Sequence, residues 1–264
     1  MRRHRTPLLR LVGLFWSTSV AAEMEYRVDF VLAVLNSGFG LLTTIFGLSL
    51  VFGGGPSFAG WSWHQAMVVV GVFTILEGFT RAVLEPNLGQ IVRHVQQGTL
   101  DFVLLKPVSA QLWLSTRGLS PWGFPDVVLG VGLTLWAALK SGAGAADLAL
   151  AIVPLAAAVV TLYSLWFVLA TTSIWFVKIY NVTQVLRTLV EAGRYPVSVY
   201  PFGHRMFFTF IVPVAFLTTV PAETLVGRGS WAWIAASVGL AALLALAARA
   251  FFRFALRFYT SASS

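Results

Sequence analysis

"WHQAMVVVGVFTILEGFTRAVL" occupies residues 63 to 84. A helix needs about 20 predominantly apolar residues to cross a bilayer core of about 30 Å, and this run supplies them. Its two charges, Glu77 and Arg81, lie four residues apart, so on a helix they share a face and can pair. Counted from Trp63 at about 1.5 Å per residue, Glu77 sits roughly 21 Å along the helix, in the cytoplasmic part of the membrane. An ionisable group in lipid is costly and marks a site by default. A structural intramembrane ion pair with snorkelling is the first reading of Glu77 and Arg81; a substrate contact or proton relay is the sharper one.

Comparable runs lie at 28 to 51, 119 to 139, 148 to 177, 206 to 222 and 231 to 252, making six expected spans. The chain of 264 residues is 58% hydrophobic and 11% charged, against roughly 25% charged for a soluble domain. An ordinary soluble protein is excluded. The expectation is all-α, a single polytopic transmembrane domain over 1 to 264 with little mass outside the bilayer. The absence of cysteine rules out disulfides, thiolate metal sites and thiol nucleophiles.

The net charge of +8 raises the question of nucleic acid, and the placement of the charges answers it. With six spans both termini share one side. If that side is the cytoplasm, 16 of the 18 Lys and Arg residues face inward and only Lys140 and Arg228 face outward. That is the positive-inside asymmetry of a membrane protein, and it accounts for the charge without nucleic acid. The outer connections, 53 to 61, 140 to 147 and 222 to 230, are too short for a folded domain. The inner loops, 85 to 118 and 178 to 205, hold most of the polar chemistry. Residues 1 to 27 have the basic start and apolar middle of a signal peptide, but Arg10 interrupts the apolar stretch. We read an amphipathic helix on the cytoplasmic face, its arginines toward lipid headgroups.

In the first inner loop Leu88, Ile91, Val92 and Val95 fall on one helical face. Pro86 suits a first helical position and Gly98 the position just past a helix end, which predicts a short helix over 86 to 97. "TLDFVLLKP" then forms a second short helical piece, with Thr99 or Asp101 as its cap and Pro107 ending it. Its apolar residues, Leu100 and Phe102 to Leu105, are too few to cross a membrane. They call for either a protein groove or the bilayer surface. In the second inner loop Val182, Val185, Leu186 and Leu189 predict another amphipathic helix, followed by an extended stretch holding Pro196 and Pro201. Asp126, beside Pro121 and Pro125 at the start of the third span, is expected to reach interfacial water.

Enzyme signatures are missing. The histidines His4, His64, His94 and His204 have no metal-ligand spacing, and no G-x-x-x-x-G-K-[ST] phosphate loop exists. No serine lies in G-x-S-x-G. Chemical energy, if used, comes from another chain. A membrane-embedded lipid-modifying enzyme is the alternative class. A secondary transporter is disfavoured because no pair of broken spans recurs in two related halves.

"GTLDFVLLKPVS" (98 to 109), "EAGRYPVSVYP" (191 to 201) and "FTFIVPVAFLTTVPAETLVG" (208 to 227) together resemble the permease subunits of ABC-2 type ABC transporters, in their compact six-span branch. The resemblance covers nearly the whole chain. It implies a coupling helix within 85 to 118 that docks on an ATP-binding subunit, with Gly98, Leu100, Asp101, Lys106 and Pro107 matching the family pattern. It further implies two such subunits holding ATP and Mg, a second permease, identical or paralogous, and a bacterial cytoplasmic membrane. Re-entrant helices between spans five and six would fall from Pro213 through Pro221 to Gly227. Glu223 departs from the pattern, which more often has a basic residue there.

Overall fold

The computed structural model describes residues 8–23, 27–53, 55, 57–176 and 180–259. Among the described residues five helices are long and apolar enough to cross a membrane: Val28–Phe52, Trp63–Gln96, Pro121–Lys140, Ala145–Ile174 and Trp231–Ala255. We label the α-helices α1 (Leu8–Glu23), α2 (Arg27–Phe52), α3 (Trp63–Phe79), α4 (Glu85–Gln96), α5 (Leu100–Leu104), α6 (Ala110–Thr116), α7 (Phe124–Lys140), α8 (Ala145–Thr171), α9 (Tyr180–Glu191), α10 (Phe202–Met206), α11 (Val220–Leu225) and α12 (Trp231–Ala255). The long helices form a bundle. One end, the basic end, carries α1, α4 to α6 and the arginines of α12; the far end carries Trp61 and the short connections.

The seam between α3 and α7 is made by glycines. A Cβ on Gly78 would come within 2.7 Å of the Val127 backbone nitrogen, and one on Gly123 within 2.3 Å of the Gly78 carbonyl oxygen. Gly71 and Gly130 repeat the pattern one heptad away, against Thr134 and Ile75. In lipid, where apolar burial between helices yields little, such close backbone approach is what holds helices together. Gly78→Ala is therefore expected to lower stability by about 1–3 kcal/mol through overpacking. Gly132→Ala, with open space around its Cβ, should be neutral or slightly stabilising. Thermal unfolding of the two variants in detergent compares them.

The helix expected over 86 to 97 does not leave the second span: α4 continues α3 to Gln96, so the connecting loop starts at Gln97 rather than 85. The reason lies at Pro86, which has no N–H for the carbonyl of Ala82. A π turn over Thr80–Leu84 takes up the mismatch, with the Glu85 N–H on the Thr80 carbonyl. The freed Ala82 carbonyl accepts from the Ser120 N–H at 2.9 Å. The buried Asn87 side chain completes the repair. Its Nδ2 donates to the Val83 and Gly118 carbonyls, and its Oδ1 accepts from the Gly118 N–H, each at 2.7 Å. The loop before α7 is thus stapled to the proline break, and the rod stays continuous.

Of the segment read as a second inner loop, 178 to 205, the described part from Tyr180 onward runs along the bundle. Arg187 of α9 pairs with Glu77 and Glu85. Arg194 lies beside Phe73 and Thr44. The Tyr195 hydroxyl reaches Gly47, and the Trp61 Nε1 donates to Ser198 Oγ at 2.9 Å, at the start of α3. These contacts climb steadily from the basic end to the far end. Correspondingly, 206 to 222 is not a single straight span. Phe202–Ile211 and Ala215–Leu225 are bent by 78° relative to one another, with Pro213 between them. Val212 and Val214 pack with Val197, and the Cβ position of buried Gly193 lies 2.9 Å from Val214 and 3.2 Å from Thr218. Arg228, past α11, donates to the Gly60 carbonyl at the far end. The pair is a V that dips into the bundle and returns to the end it left.

At the basic end α1 lies on α6, with the Trp16 Nε1 donating to the Thr116 carbonyl at 3.1 Å and Phe15 edge-on to Trp113. Residues 1–7 and 24–26 of the expected 1 to 27 helix lie outside the described residues. At the far end a two-residue hairpin, Ser57–Phe58 with Trp61–Ser62, precedes α3. Its turn residues Ala59 and Gly60 both have positive φ.

Candidate functional site: a docking segment and an ionic chain

The short helix α5 is held from below and bare above. Gly98, with φ +63°, ends α4: its N–H reaches the Val95 carbonyl and the Thr99 N–H the His94 carbonyl, the paired bonds of a Schellman motif. Thr99 does not cap α5; its hydroxyl sits 2.8 Å from His94 Nδ1. Leu100 is 0% exposed and Val103 is buried beside it, packed with Leu88, Ile91 and Leu114. Leu100 therefore anchors the segment and presents no side chain to a partner. The surface belongs to Phe102 and Leu105, 68% and 82% exposed, with Leu104 beside them. Lys106 lays its ammonium over the Trp113 ring, 4.3 Å from the centroid, and Pro107 is exposed. The Tyr259 hydroxyl, buried past the end of α12, faces this segment. Burial raises its pKa and the Asp101 charge pushes it the same way.

Deeper in the bundle, Glu77 and Arg81 are 3.1 Å apart within one helix turn. They are the middle of a longer chain. Arg81 also holds Asp126 of α7 at 3.0 Å, Glu77 also holds Arg187, and Arg187 holds Glu85 at 2.8 Å. Asp126, expected at interfacial water, is 4% exposed. Packing of α7 on α3 at Gly123 and Gly78 brings its carboxylate onto Arg81 instead. The run Asp126–Arg81–Glu77–Arg187–Glu85 joins α7, α3, α9 and α4. Glu85 lies four residues after Arg81, a spacing that signals a pair, but it joins the chain through Arg187 instead, 102 residues away. Asp126 and Arg187 had no local signal, because their partners are 45 and 110 residues away.

A cavity of about 80 Å³ borders the chain, reached by Ser37, Thr44, Glu77, Arg81, Asp126 and Arg194. The Ser37 Oγ is buried there without a partner among the described residues. The space is far below the roughly 300 Å³ at which small-molecule pockets begin.

Residues 39–263 match the sequence pattern of the ABC-2 family transporter proteins. The chain belongs to this family. No curated protein and no solved structure matches it. As an ABC-2 family chain with several membrane-crossing helices, it is a multi-pass membrane protein with a permease role in ABC transport. Its partners, by family, are ATP-binding subunits.

Proposed function

We propose that the chain is the membrane-spanning permease subunit of an ATP-driven exporter in a bacterial cytoplasmic membrane. It pairs with a second permease, identical or paralogous, and with two ATP-binding subunits that hold ATP and Mg. The observation that carries this reading is α5: an apolar tip of Phe102 and Leu105 on a segment rigidly fixed by Leu100 and Val103. Gly98 aims the segment, Asp101 and Lys106 flank it with charge, and Pro107 ends it.

The mechanism follows from the continuity of the rod. ATP favours one arrangement of the ATP-binding subunits by its differential affinity. Movement at α5 passes through α4 into α3, which run as one helix over Trp63–Gln96. The ionic chain about Glu77 and Arg81 carries it sideways to α7 and α9, as rigid-body switching between packed states. Through 192 to 199 it reaches the V of α10 and α11 at the far end. Export suits the short far-end connections, which offer little for a binding protein to engage. The bare surface of α2, with Leu35, Phe39 and Phe46 exposed, is left for the second permease and lipid.

The test is purification of the tagged full chain from its own membranes, followed by ATP hydrolysis. An ATP-binding protein with a Walker A motif should copurify, and the complex should hydrolyse ATP. A chain that elutes without ATPase and modifies lipid unaided would instead be a membrane-embedded lipid-modifying enzyme.

A further inference from the structure

A cleft of about 610 Å³ opens at the basic end between α6, α8 and α12. One side is cationic: Arg249 and Arg253 are one helical turn apart on α12 and both line it. Among the described residues no carboxylate pairs with either. A second side carries hydroxyls, with Ser115 Oγ 2.8 Å from the Tyr163 hydroxyl, which also accepts from Gln111 Nε2 at 3.2 Å. The remaining wall is apolar, made by Phe79, Val83 and Phe252.

Depth matches this lining to one kind of ligand. At about 1.5 Å per residue, Arg249 lies roughly 27 Å from the start of α12 and Tyr163 roughly 27 Å from the start of α8. Arg253 lies roughly 33 Å along, just past a hydrocarbon core of about 30 Å. Arg253 therefore sits at headgroup level and Arg249 one turn deeper, beside Phe79 and Val83, which lie roughly 24 and 30 Å from Trp63 on the same scale. A soluble anion would not need that apolar wall, and a neutral lipid would leave two arginines without counter-charge.

We propose that this cleft is a binding site for one anionic phospholipid of the adjacent leaflet, its phosphate on Arg249 and Arg253 and its chains along Phe79 and Val83. The bound lipid braces α6, which follows the docking segment directly, against α8 and α12. The site rests on the membrane placement of the bundle and not on the ATPase partnership, so it can fail or stand separately.

Native mass spectrometry of the detergent-purified full chain, titrated with phosphatidylglycerol and phosphatidylcholine, tests it. Phosphatidylglycerol should be retained over phosphatidylcholine by about 30-fold, given two arginines at about 1 kcal/mol each near the phosphate. Arg249→Gln with Arg253→Gln should abolish the preference. Val83→Trp, which fills the cleft and keeps both cations, should abolish it too. Arg257→Gln, an arginine of the same end outside the cleft, should keep it. An unchanged preference in either cleft variant, or an equal loss in Arg257→Gln, would overturn the site in favour of diffuse surface charge. Glycerol phosphate binding as tightly as the lipid would overturn the role of the apolar wall. Unfolding midpoints of the variants identify any that fail to fold, and Val83→Trp and the arginine pair are independent in that respect.

Discussion

Phe102→Asp together with Leu105→Asp leaves the chain folded in the membrane and strips it of its ATP-binding subunits. Both side chains are more than two-thirds exposed, and neither belongs to the core that holds α5. Surface changes of this kind move stability by about 0.5 kcal/mol or less. In a complex, by contrast, an aromatic anchor seated in a partner's pocket is worth about 2 kcal/mol or more, which is roughly 30-fold in affinity, and a buried unpaired carboxylate adds to the loss. Copurified ATPase should fall at least to that extent, and ATP-driven transport with it. Leu100→Ala gives the complementary result. It opens a cavity under α5 at a cost of about 2–5 kcal/mol, so it should lower the unfolding midpoint as well as the coupling. Full ATPase recovery with the Phe102 and Leu105 pair would mean that the bare face of α5 is not the docking surface.

Arg187→Met should destabilise the bundle strongly for a single change of a partly exposed side chain. It leaves Asp126, Glu77 and Glu85 with Arg81 as the one cation of the chain. Breaking a buried pair from one side costs about 3–5 kcal/mol, and the 25% of the Arg187 side chain that remains exposed trims this to about 2–3 kcal/mol. Adding Glu77→Gln restores the charge balance and should recover much of the loss. Arg187→Lys should fall between, because an ammonium cannot offer the guanidinium fork to Glu77 and Glu85 together. The unfolding midpoint in detergent reads all three. Stability equal to the parent in Arg187→Met would mean that the chain contributes no more than an exposed ion pair.

The parts that were legible beforehand have strong local signals. Runs such as 63 to 84 and 231 to 252 are apolar enough that their lengths alone predict spans, and Glu77 and Arg81 pair within one helix turn. Gly98 and the apolar face of Leu88, Ile91 and Val92 likewise marked a helix and its end. What was missed depends on distant partners. Nothing local distinguishes α9 as a loop helix from α9 as part of a crossing; its path is set by Arg187 on Glu77 and by Ser198 under Trp61. A bent pair and a straight span have the same composition over 206 to 222, and the V follows from Pro213 and from the packing of Val214 and Thr218 on Gly193. Pro86 reads as a helix start, yet the π turn and the bonds from Ser120 and Asn87 satisfy the carbonyls it frees. In α5 the apolar content was visible but not its division, because only the packed structure separates Leu100 and Val103 from Phe102 and Leu105.

The central claim is that the face of α5 meets an ATP-binding subunit. A photo-crosslinking residue in place of Leu105, activated in intact membranes, tests it directly. The expected result is a cross-link to an ATP-binding protein, absent when the same residue replaces Phe58 at the far end. Cross-links to lipid alone at position 105, or equal capture from position 58, would contradict it.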